Sequence, residues 1–596
     1  MFCTELVPSR LSLCLGDLST EYASTKQTEE ERQSDYNPFD VQVFQTYIPL
    51  YNTLSMSSQT NISNVCLNQS KYISTLSSVR MSDCKEEEAA SIHIKYAPLL
   101  DPVHYLIGKY SKYDKPNLPQ PDIPSSIPKL DNVHNMTYVD GFFNFLSSKL
   151  LQSHNVIHGL EYYGSMLAVQ DKFKFSLVDD YEYLNKSKFF RSNYNKLYEY
   201  EDPEQIECLK RFYMDNGDTQ ENRKRLKIDS TKNISIEIDD IIEFDDIESP
   251  IREKNDNDVD NDFEIMFDNK QNGNVDGGGI DDDSEDEDSI VSDSTEELNS
   301  DDCSSTSDND AKSSNGESDN SESESDNSEE PDAYAYLYNF PVQMICMEKC
   351  DGTLDSLLES DCLSFDEQGS ALTQVIFTLL MYQKTLKFTH NDLHTNNIMY
   401  KTTDIPYIEY VYKEKRYLVP TYGKIFKIID FGRSIYTYNG TLYCSDSFAK
   451  GGDAHSQYNC EPFYNSEKPP IEPNLSFDLS RLGCSLYDFM FEDDDIYNAL
   501  CEDMNRMNPV QSAVLRWCTD DRGKNILYKA STGDERYPGF KLYKMIARTV
   551  HNASPEQEMS QSLIKQYILT AKKLKKKSIV NAKRVIMDID TLPCYA

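Results

Sequence analysis

Three side chains that could carry out chemistry on a phosphate group are spaced closely in the second half of the sequence. Asp392 is followed five residues later by Asn397, and Asp430 begins an Asp-Phe-Gly triplet thirty-three residues beyond Asn397. Phosphoryl transfer needs a carboxylate that accepts a hydroxyl proton, an amide oxygen for a metal ion, and a carboxylate that joins the metal to the phosphates. Asp392, Asn397 and Asp430 supply these groups in that order, so the spacing predicts a phosphoryl-transfer site. The alternative is that Asp392 and Asn397 only cap turns, as these residue types often do.

A long helix is predicted immediately before this loop. Ser364 and Glu367 form a capping-box pattern, which is typical of the first turn of a helix. Apolar side chains then recur at helical spacing, and the pattern runs straight into His390. The apolar positions are Leu372, Val375, Ile376, Leu379 and Leu380.

Strands are predicted on the other side of the loop. Residues 398–400 are apolar and predict a strand directly after Asn397. Residues 424–429 predict the strand that delivers Asp430. The alternating, tyrosine-rich residues 407–422 predict a long hairpin between the two.

A strand and helix pattern farther upstream predicts a small sheet with one packed helix. Residues 90–96 alternate in polarity and predict a strand, and Lys95 near its end is the candidate for gripping nucleotide phosphates. An exposed strand lysine without a role is the alternative. Residues 138–151 carry apolar side chains at helical spacing, and residues 156–170 and 173–178 predict further strands.

Negative charge is concentrated in one segment. The sequence has 101 acidic and 59 basic residues, and residues 201–333 hold 45 of the acidic and 11 of the basic ones. Such a segment buries too little apolar surface to offset the entropy lost on ordering, so we predict a long disordered acidic insertion. It is either a solvated spacer or a binding surface for basic proteins such as histones. The basic residues 223–227 are a candidate nuclear-localisation cluster.

Cysteine usage and hydropathy predict an intracellular protein. The fifteen cysteines include no Cys-x-x-Cys pair, which favours a reducing compartment over a disulfide framework. Cys346 and Cys350 lie close together but lack the further ligands of a zinc site. No apolar run is long enough to span a membrane, and the apolar residues 11–15 are too few for a secretory signal.

The motifs around Asp392 and Asp430 resemble those of eukaryotic-type protein kinases. They look most like the divergent kinase-like proteins of large nucleocytoplasmic DNA viruses of the mimivirus and iridovirus kind. Asp478 followed by Gly483 adds to the resemblance, because this spacing is similar to that of the helix after the kinase activation segment. The resemblance covers residues 90–185 and 335–555.

This resemblance implies an α+β, bilobal protein kinase-like fold with a small β-rich N-lobe and a mainly helical C-lobe. The acidic segment would be an insertion between two strands of the N-lobe. The lysines at the end of the chain most simply form a solvated helix face, and nucleic acid is not an expected partner. The implied divisions are an N-terminal extension (1–60), the N-lobe (61–345, interrupted by 201–333), the C-lobe (346–555) and a basic tail (556–596). The extension is expected to be poorly ordered by itself and to order only against the folded body.

The resemblance also implies ATP and Mg²⁺ as cofactors. Asn397 and Asp430 would hold Mg²⁺. Lys95 would bind the α- and β-phosphates of the nucleotide, and Asp430 would also contact it. Met347 would be the gatekeeper, and Glu348 and Cys350 would belong to the hinge that meets adenine.

Two side chains of the loop would act directly on the reaction. Asp392 would orient and deprotonate the substrate hydroxyl. His394 stands where protein Ser/Thr kinases usually carry a lysine against the transferring phosphate. An imidazole with a pKa of about 6.5 is mostly neutral at pH 7, so His394 offers a hydrogen bond more than a charge. The alternative is that His394 only packs or supports the loop.

Two parts of a typical protein kinase are missing. No glycine occurs between Gly16 and Gly108, so the glycine-rich loop whose backbone closes over the phosphates is absent. The Ser-rich residues 70–78 are the only substitute. The predicted helix also lacks the usual Glu that pairs with the strand lysine, and Asp140 or Asn144 could take its place.

The usual arginine of the catalytic loop is replaced by Asn391. Residues 433–477 are predicted to be an irregular loop, and a phosphate on it would lack its arginine partner. We therefore predict that phosphorylation of Tyr436, Tyr443 or Tyr458 does not switch activity.

The sequence favours an ATP- and Mg-dependent protein kinase that transfers the γ-phosphoryl group to Ser or Thr hydroxyls of a protein substrate. One alternative is a pseudokinase or scaffold that binds basic partners through its acidic insertion, which the missing glycine-rich loop favours. Another is a small-molecule hydroxyl kinase of the aminoglycoside or choline kinase type, because the His-x-Asp-x-His pattern resembles theirs. A viral protein of this kind is expected in the host cytoplasm, with the nucleus and the virion as the other candidate locations.

Overall fold

The computed structural model describes most of the chain outside the acidic segment. The greater part of the predicted insertion, with residues 223–227, lies outside the described residues, as do the lysines at 572–577. The described residues are 4–9, 15–25, 36–54, 62–83, 86–113, 116–215, 333–491, 507–529, 533–570 and 583–596.

The described residues form a mixed α+β structure with several separate sheets. Its strands are β1 (Leu6–Pro8), β2 (Val41–Gln45), β3 (Val65–Leu67), β4 (Lys71–Thr75), β5 (Ser78–Met81), β6 (Glu87–Ala89), β7 (Ile92–Pro98), β8 (Tyr162–Ser176), β9 (Tyr198–Tyr200), β10 (Tyr334–Glu348), β11 (Gly352–Thr353), β12 (Ile398–Thr402), β13 (Tyr407–Tyr412), β14 (Lys415–Pro420), β15 (Lys424–Ile428), β16 (Ile435–Tyr438), β17 (Thr441–Cys444) and β18 (Arg584–Asp588).

The helices range from single turns to one helix of 22 residues. They are α1 (Leu15–Thr25), α2 (Pro102–Leu106), α3 (Pro128–Asp131), α4 (Met136–His154), α5 (Tyr181–Lys186), α6 (Lys188–Ser192), α7 (Pro203–Asp215), α8 (Leu354–Glu359), α9 (Phe365–Leu386), α10 (Phe477–Met490), α11 (Pro509–Trp517), α12 (Lys541–Thr549), α13 (Pro555–Glu558) and α14 (Ser562–Lys565). Within the described stretches, none of these helices combines the length and the apolar character that a membrane crossing requires.

The largest described sheet contains the strand of Lys95. Its strands run in the order β2-β8-β10-β7 with antiparallel neighbours, and β9 also pairs with β10. The strand predicted over 90–96 is confirmed as β7, where Lys95 lies opposite Ile345. The prediction of two strands over 156–170 and 173–178 is wrong, because β8 continues through Lys172, which lies opposite Tyr338 of β10.

α4 is the helix predicted over 138–151, extended by a few residues at each end. The Asn135 side chain accepts a hydrogen bond from the Thr137 amide at 3.1 Å and caps its start. Asn155 ends the helix in the left-handed conformation, with φ of 56°. Because its apolar face is buried against the sheet, α4 carries Asp140 toward β7. The buried residues of this face include Phe142, Phe143, Leu146 and Leu150.

The predicted capping box at the start of α9 is confirmed. The Ser364 side chain accepts from the Glu367 amide, and the Glu367 carboxylate accepts from the Ser364 amide. Lys387 ends the helix in the left-handed conformation, and the chain then enters the segment of His390. Nearly all side chains of α9 beyond its first turn are buried, so this helix is a fixed support for the loop that follows.

Antiparallel pairing of β12 with β15 brings the two halves of the motif together. Ile398 lies opposite Ile428 in this pair. Asn397 directly precedes β12, and Asp430 lies two residues beyond the end of β15. The two side chains are therefore neighbours at the same end of the strand pair.

The hairpin predicted over 407–422 is confirmed as β13 and β14, which pair antiparallel from Tyr407↔Pro420 to Tyr412↔Lys415. The sequence did not predict β18, which joins β13 in parallel. The prediction of an irregular loop over 433–477 is wrong at its start, where β16 and β17 form a hairpin. Asn439 and Gly440 at its turn have φ of 50° and 76°, the conformation that an Asn-Gly turn provides.

The described parts of residues 1–60 pack against the rest of the structure. β2 pairs with β8. The buried residues of this part include Phe39, Ile48, Leu50 and Tyr51, which belong to the same hydrophobic core as α4 and β8. These described residues are thus ordered against the folded body.

Candidate functional site

A hydrogen bond joins Asn397 to Asp392 across the short loop between α9 and β12. The side-chain Nδ2 of Asn397 donates to the backbone oxygen of Asp392 at 2.9 Å. The amide of Ile429 donates to the backbone oxygen of Asn397 at 3.0 Å, which joins the loop to the end of β15. Because its side-chain nitrogen is used in this way, Asn397 has its side-chain oxygen available as a ligand atom.

A buried carboxylate on α10 anchors the start of this loop. Asp478 accepts hydrogen bonds from the amides of His390 and Asn391, both at 2.9 Å. Burial raises the pKa of Asp478 more than the His390 ring and these amides lower it. On the other side, the ring Nε2 of His390 lies 2.9 Å from the backbone oxygen of Ile429. The loop is therefore tied both to a helix and to the strand of Asp430.

Asn391, where the resemblance expects an arginine, is fully buried. Its φ of 64° is a left-handed conformation that asparagine adopts more readily than most residues. Its Nδ2 donates to the backbone oxygen of Arg433 at 3.0 Å, and its Oδ1 accepts from the Tyr458 hydroxyl at 2.8 Å. Neutral hydrogen bonds thus connect the loop to the chain beyond Asp430. Tyr436 and Tyr443, the other two tyrosines of the phosphorylation prediction, are also buried.

Lys95 lies between two carboxylates from different parts of the chain. Its Nζ is 2.7 Å from Asp140 of α4 and 2.8 Å from Asp430. Asp140 also accepts from the amide of Phe431 at 2.9 Å and from the side chain of Asn144 at 2.9 Å. Of the two candidates for the missing acid, Asp140 pairs with the lysine, and Asn144 supports Asp140.

The charges of this group stabilise one another. Burial lowers the pKa of Lys95, but Asp140 and Asp430 raise it by more, so the amine stays protonated. Burial raises the pKa of Asp430, but Lys95 outweighs that effect and the net pKa is below its usual range. Asp140 is more deeply buried, and its pKa is raised because burial outweighs the attraction of Lys95. Asp430 therefore presents an ionised carboxylate beside a protonated amine.

The carboxylate of Asp392 is held by residues that the sequence reasoning did not identify. The Tyr543 hydroxyl donates to its Oδ1 at 2.9 Å, and a guanidinium nitrogen of Arg433 lies 3.4 Å from its Oδ2. Burial raises the pKa of Asp392, but Arg433, His394 and Arg481 together lower it to a net value below its usual range. Arg433 directly follows the Asp-Phe-Gly triplet, so its position was a signal that could have been noticed. Tyr543 follows Asp392 by 151 residues and gives no such signal.

His394 is buried beside this carboxylate and is 4% exposed. Burial, and next the charge of Arg481, lower its pKa to about 4. Its Nε2 has no hydrogen-bond partner among the described residues. A neutral imidazole with one unused nitrogen can donate or accept a hydrogen bond with a bound group, but it carries no charge near pH 7.

The hinge candidates follow directly along the strand next to Lys95. Met347 lies opposite His93 and is buried, two residues beyond the partner of Lys95. The Glu348 carboxylate forms an ion pair with Lys427, and its amide donates to the backbone oxygen of Glu161 at 3.0 Å. Burial raises the pKa of the half-buried Cys350 thiol to about 11. The side chains of Met347, Glu348 and Cys350 are thus neutral or paired, and the amides of Glu348 and Lys349 already donate to backbone oxygens of the fold.

The Ser-rich residues 70–78 contribute none of the described ion pairs of Lys95, which are with Asp140 and Asp430. They form β4 and β5, and the amide of Leu76 at their turn donates to Glu21 of α1 at 2.8 Å. The backbone oxygen of Asn68, just before them, accepts a hydrogen bond from the Lys149 amine. Lys149 is nine residues beyond Asp140 and thus about 13 Å farther along α4. In the described part of the chain β7 is an edge strand of its sheet, with β10 as its neighbour.

The oxygen atoms that suit a divalent cation are the side-chain oxygen of Asn397 and the carboxylate of Asp430. Hard cations such as Mg²⁺ prefer such ligands and often take only one or two from the protein, with the others from phosphates and water. Among the described residues, no group of three or more His, Cys, Asp or Glu side chains could hold a metal ion. The donor set therefore fits a cation that arrives with a phosphate ligand rather than a closed protein site.

Comparison with known proteins indicates a kinase-like relationship for part of this chain. A curated protein named putative serine/threonine-protein kinase R301, from Acanthamoeba polyphaga mimivirus, is 31% identical over 151 residues. The matched region is 24% of this chain and 34% of that protein, so the chain spans about a third of the relative's length. No protein-family model matches the chain. The similarity supports a kinase-type enzyme and leaves the particular reaction to be argued from the site.

Proposed function

We propose that this protein is an ATP- and Mg-dependent protein kinase that transfers the γ-phosphoryl group to Ser or Thr hydroxyls of a protein substrate. The observation that carries the proposal is the pairing of Lys95 with Asp430 at 2.8 Å next to the Asp392 and Asn397 loop. Four side chains from three parts of the chain thus contribute a cation, a base and two candidate metal ligands to one region, as phosphoryl transfer requires. The partial similarity to a viral protein named as a kinase supports the same class.

This function would require a two-lobed arrangement. The sheet of β7, β8 and β10 with α4 would be the N-lobe, and α9 with the helices that follow would be the C-lobe. The segment from Met347 to Cys350 would join them and meet the adenine base. ATP would then lie between this segment and Lys95.

Asp392 would orient the substrate hydroxyl and accept its proton. Its lowered pKa keeps the carboxylate ionised at neutral pH, and Arg433 and Tyr543 hold it in place. A positioned base of this kind contributes roughly 10²- to 10⁴-fold to the rate. His394 would donate a hydrogen bond to the transferring phosphoryl group rather than a charge.

On the nucleotide side, Lys95 would contact the α- and β-phosphates while Asp140 holds its amine from behind. The side-chain oxygen of Asn397 and the carboxylate of Asp430 would hold Mg²⁺. When bound, Mg²⁺ would neutralise the charge that develops on the phosphoryl oxygens. Because most of this catalysis is electrostatic, loss of the Asp430 carboxylate should cost more than loss of the base.

The test is transfer of labelled phosphate from ATP to a Ser- and Thr-containing peptide library with Mg²⁺. The wild type should be active, and Asp392→Asn and Asp430→Ala should each lose transfer. Asp361→Asn is a matched control, because it makes the same kind of change at an exposed position outside the site. A wild type that binds ATP without turnover would contradict the proposal.

One observation favours a pseudokinase or scaffold as the second candidate. β7 is an edge strand in the described residues, and no glycine-rich hairpin covers Lys95 there. The same assay separates the candidates, since a scaffold binds ATP or a basic protein without transferring phosphate. Transfer to an aminoglycoside or choline, but not to peptides, would instead identify a small-molecule kinase.

A further inference from the structure

The Tyr543 hydroxyl is part of a buried group that surrounds the Asp392 carboxylate. It donates to Asp392 Oδ1 at 2.9 Å and accepts from the Nε of Arg481 at 2.8 Å. The centroid of the phenol ring lies 5.1 Å from the guanidinium group of Arg481 and 5.8 Å from that of Arg433. Tyr543 therefore links the carboxylate to Arg481 by hydrogen bonds and also lies close to Arg433.

The group is assembled from distant parts of the chain. Tyr543 lies on α12, Arg481 lies on α10, and Arg433 follows the triplet after β15. Arg433 is also paired with Asp453 in the segment beyond β17. Each contact thus fixes the position of Asp392 relative to a different element.

Tyr543 itself is rigidly packed. Its side chain is 2% exposed, and its ring stacks on Phe540 at 5.3 Å and lies 6.0 Å from Phe477. A ring held in this way cannot leave the carboxylate to make room for another group without breaking core contacts. The hydroxyl is therefore a permanent ligand of Asp392 Oδ1 and not a competitor that substrate displaces.

We propose that Tyr543 is a positioning residue that fixes the Asp392 carboxylate for catalysis, an inference that rests on the proposed kinase function. The terminal torsion of an aspartate is soft, so an unsupported carboxylate samples many orientations. With Oδ1 bound to Tyr543, Oδ2 makes no described hydrogen bond and has the Arg433 guanidinium 3.4 Å away, so it is the oxygen that would accept the substrate proton. Small errors in the placement of a catalytic group reduce the rate strongly, because a fixed geometry replaces the entropy cost of alignment.

The experiment is a double-mutant cycle in which Tyr543→Phe is combined with Asp392→Asn in the full-length protein. Tyr543→Phe alone should lower kcat about tenfold or more, the range expected for a lost hydrogen bond to a charged group. Its KM for ATP should remain within about twofold of wild type. In the Asp392→Asn background the same change should have almost no effect on the residual rate, because the carboxylate that it positions is gone.

Rates are to be expressed per nucleotide-binding molecule, since Tyr543→Phe also removes a partner of the buried Arg481 and can reduce the folded fraction. Tyr410→Phe is the matched control. Tyr410 is fully buried, and its hydroxyl lies 2.7 Å from the Nε2 of His158 rather than near Asp392. It should change the unfolding temperature without changing kcat per binding site.

Four outcomes would overturn the proposal. An equal loss of rate in both backgrounds would mean that Tyr543 supports only the fold. A faster Tyr543→Phe variant would mean that its hydroxyl obstructs the substrate. An active wild type with an unaffected Tyr543→Phe variant would refute this inference and leave the kinase function standing, whereas an inactive wild type would refute both.

Discussion

The two sides of the proposed site differ in how firmly the chain holds their side chains. On the side of the base, the Asp392 side chain is 13% exposed and Arg433 is 7% exposed, with partners on several helices. On the nucleotide side, Lys95 is 30% and Asp430 is 48% exposed, next to an edge strand. The protein core therefore fixes the group that would receive a hydroxyl proton, whereas the groups that would receive phosphates remain open to water. In the proposed kinase, nucleotide binding would complete the second side.

After loss of the Asp430 carboxylate, the largest effect is expected from Asp392→Asn on the buried side. The change keeps the shape of the side chain but removes its capacity to accept a proton, so kcat should fall by roughly 10²- to 10⁴-fold. The KM for ATP should stay near the wild-type value, because Asp392 makes no contact with Lys95 in the described structure. Steady-state kinetics at varied ATP concentrations measures both quantities. A large rise in the KM for ATP would show that the two sides are not independent.

A smaller effect is expected from Lys95→Met on the open side, and it should reduce nucleotide binding as well as activity. Loss of the amine removes the contact to the phosphates and leaves Asp140 and Asp430 facing each other, so kcat/KM for ATP should fall about 10²-fold. Nucleotide binding measured by calorimetry should weaken as well. Lys172→Met on β8 is the control. Lys172 forms a surface pair with Glu199 and lies 5.6 Å from the centroid of the Tyr336 ring, so its loss should change little. Unchanged ATP affinity in Lys95→Met would argue against the assigned role.

The pH dependence of stability provides a third comparison. His394 has a folded pKa of about 4 against an unfolded value of about 6.5, so folding favours its neutral form. This contribution is fully present above pH 6.5 and is lost as the pH falls toward 4, at most about 3 kcal/mol.

Chemical denaturation of wild type and His394→Gln between these pH values tests this prediction. The decline of the unfolding free energy should be shallower in the variant, because the titrating imidazole is gone. His551→Gln is the control, since His551 is exposed and lies on the surface beside Asp521. Equal slopes in wild type and His394→Gln would contradict the buried, neutral histidine.

The smallest effects are expected from the tyrosines after the Asp-Phe-Gly triplet. Tyr436, Tyr443 and Tyr458 are buried, so phosphorylation would require local opening, and the substitution of each by Phe should change kcat by less than about twofold. Tyr458→Phe should lower stability the most, because it leaves the side-chain oxygen of Asn391 without its partner. Kinase assays before and after phosphatase treatment provide the check. Activity lost after phosphatase and in one of these variants would refute the prediction.

The sequence predicted the parts of the site that depend on short spacing. Asp392, Asn397 and Asp430 lie in short connections next to apolar segments, so local propensity brings them to the ends of predicted elements. The capping box at Ser364 and the strand of Lys95 were read correctly for the same reason. Asp140 was a candidate because it lies on the helix that packs against that strand.

Sequence patterns gave no basis for features that depend on distant pairing. β8 is a single strand because β10 pairs along its length, although the acidic segment separates the two strands in the sequence. β18 adds to β13 from near the end of the chain. In both cases a local pattern was compatible with several structures, and long-range hydrogen bonds selected one of them.

The sequence by itself determined which chemical groups are present and which of them share a loop. The tertiary structure alone decided what surrounds the Asp392 carboxylate, because Tyr543 and Arg481 reach it from helices that no spacing rule connects to the loop. The physical reason is that periodicity and turn chemistry act over a few residues. The orientation and pKa of a buried carboxylate are instead set by whatever charges and hydroxyls the folded chain packs within a few ångströms of it.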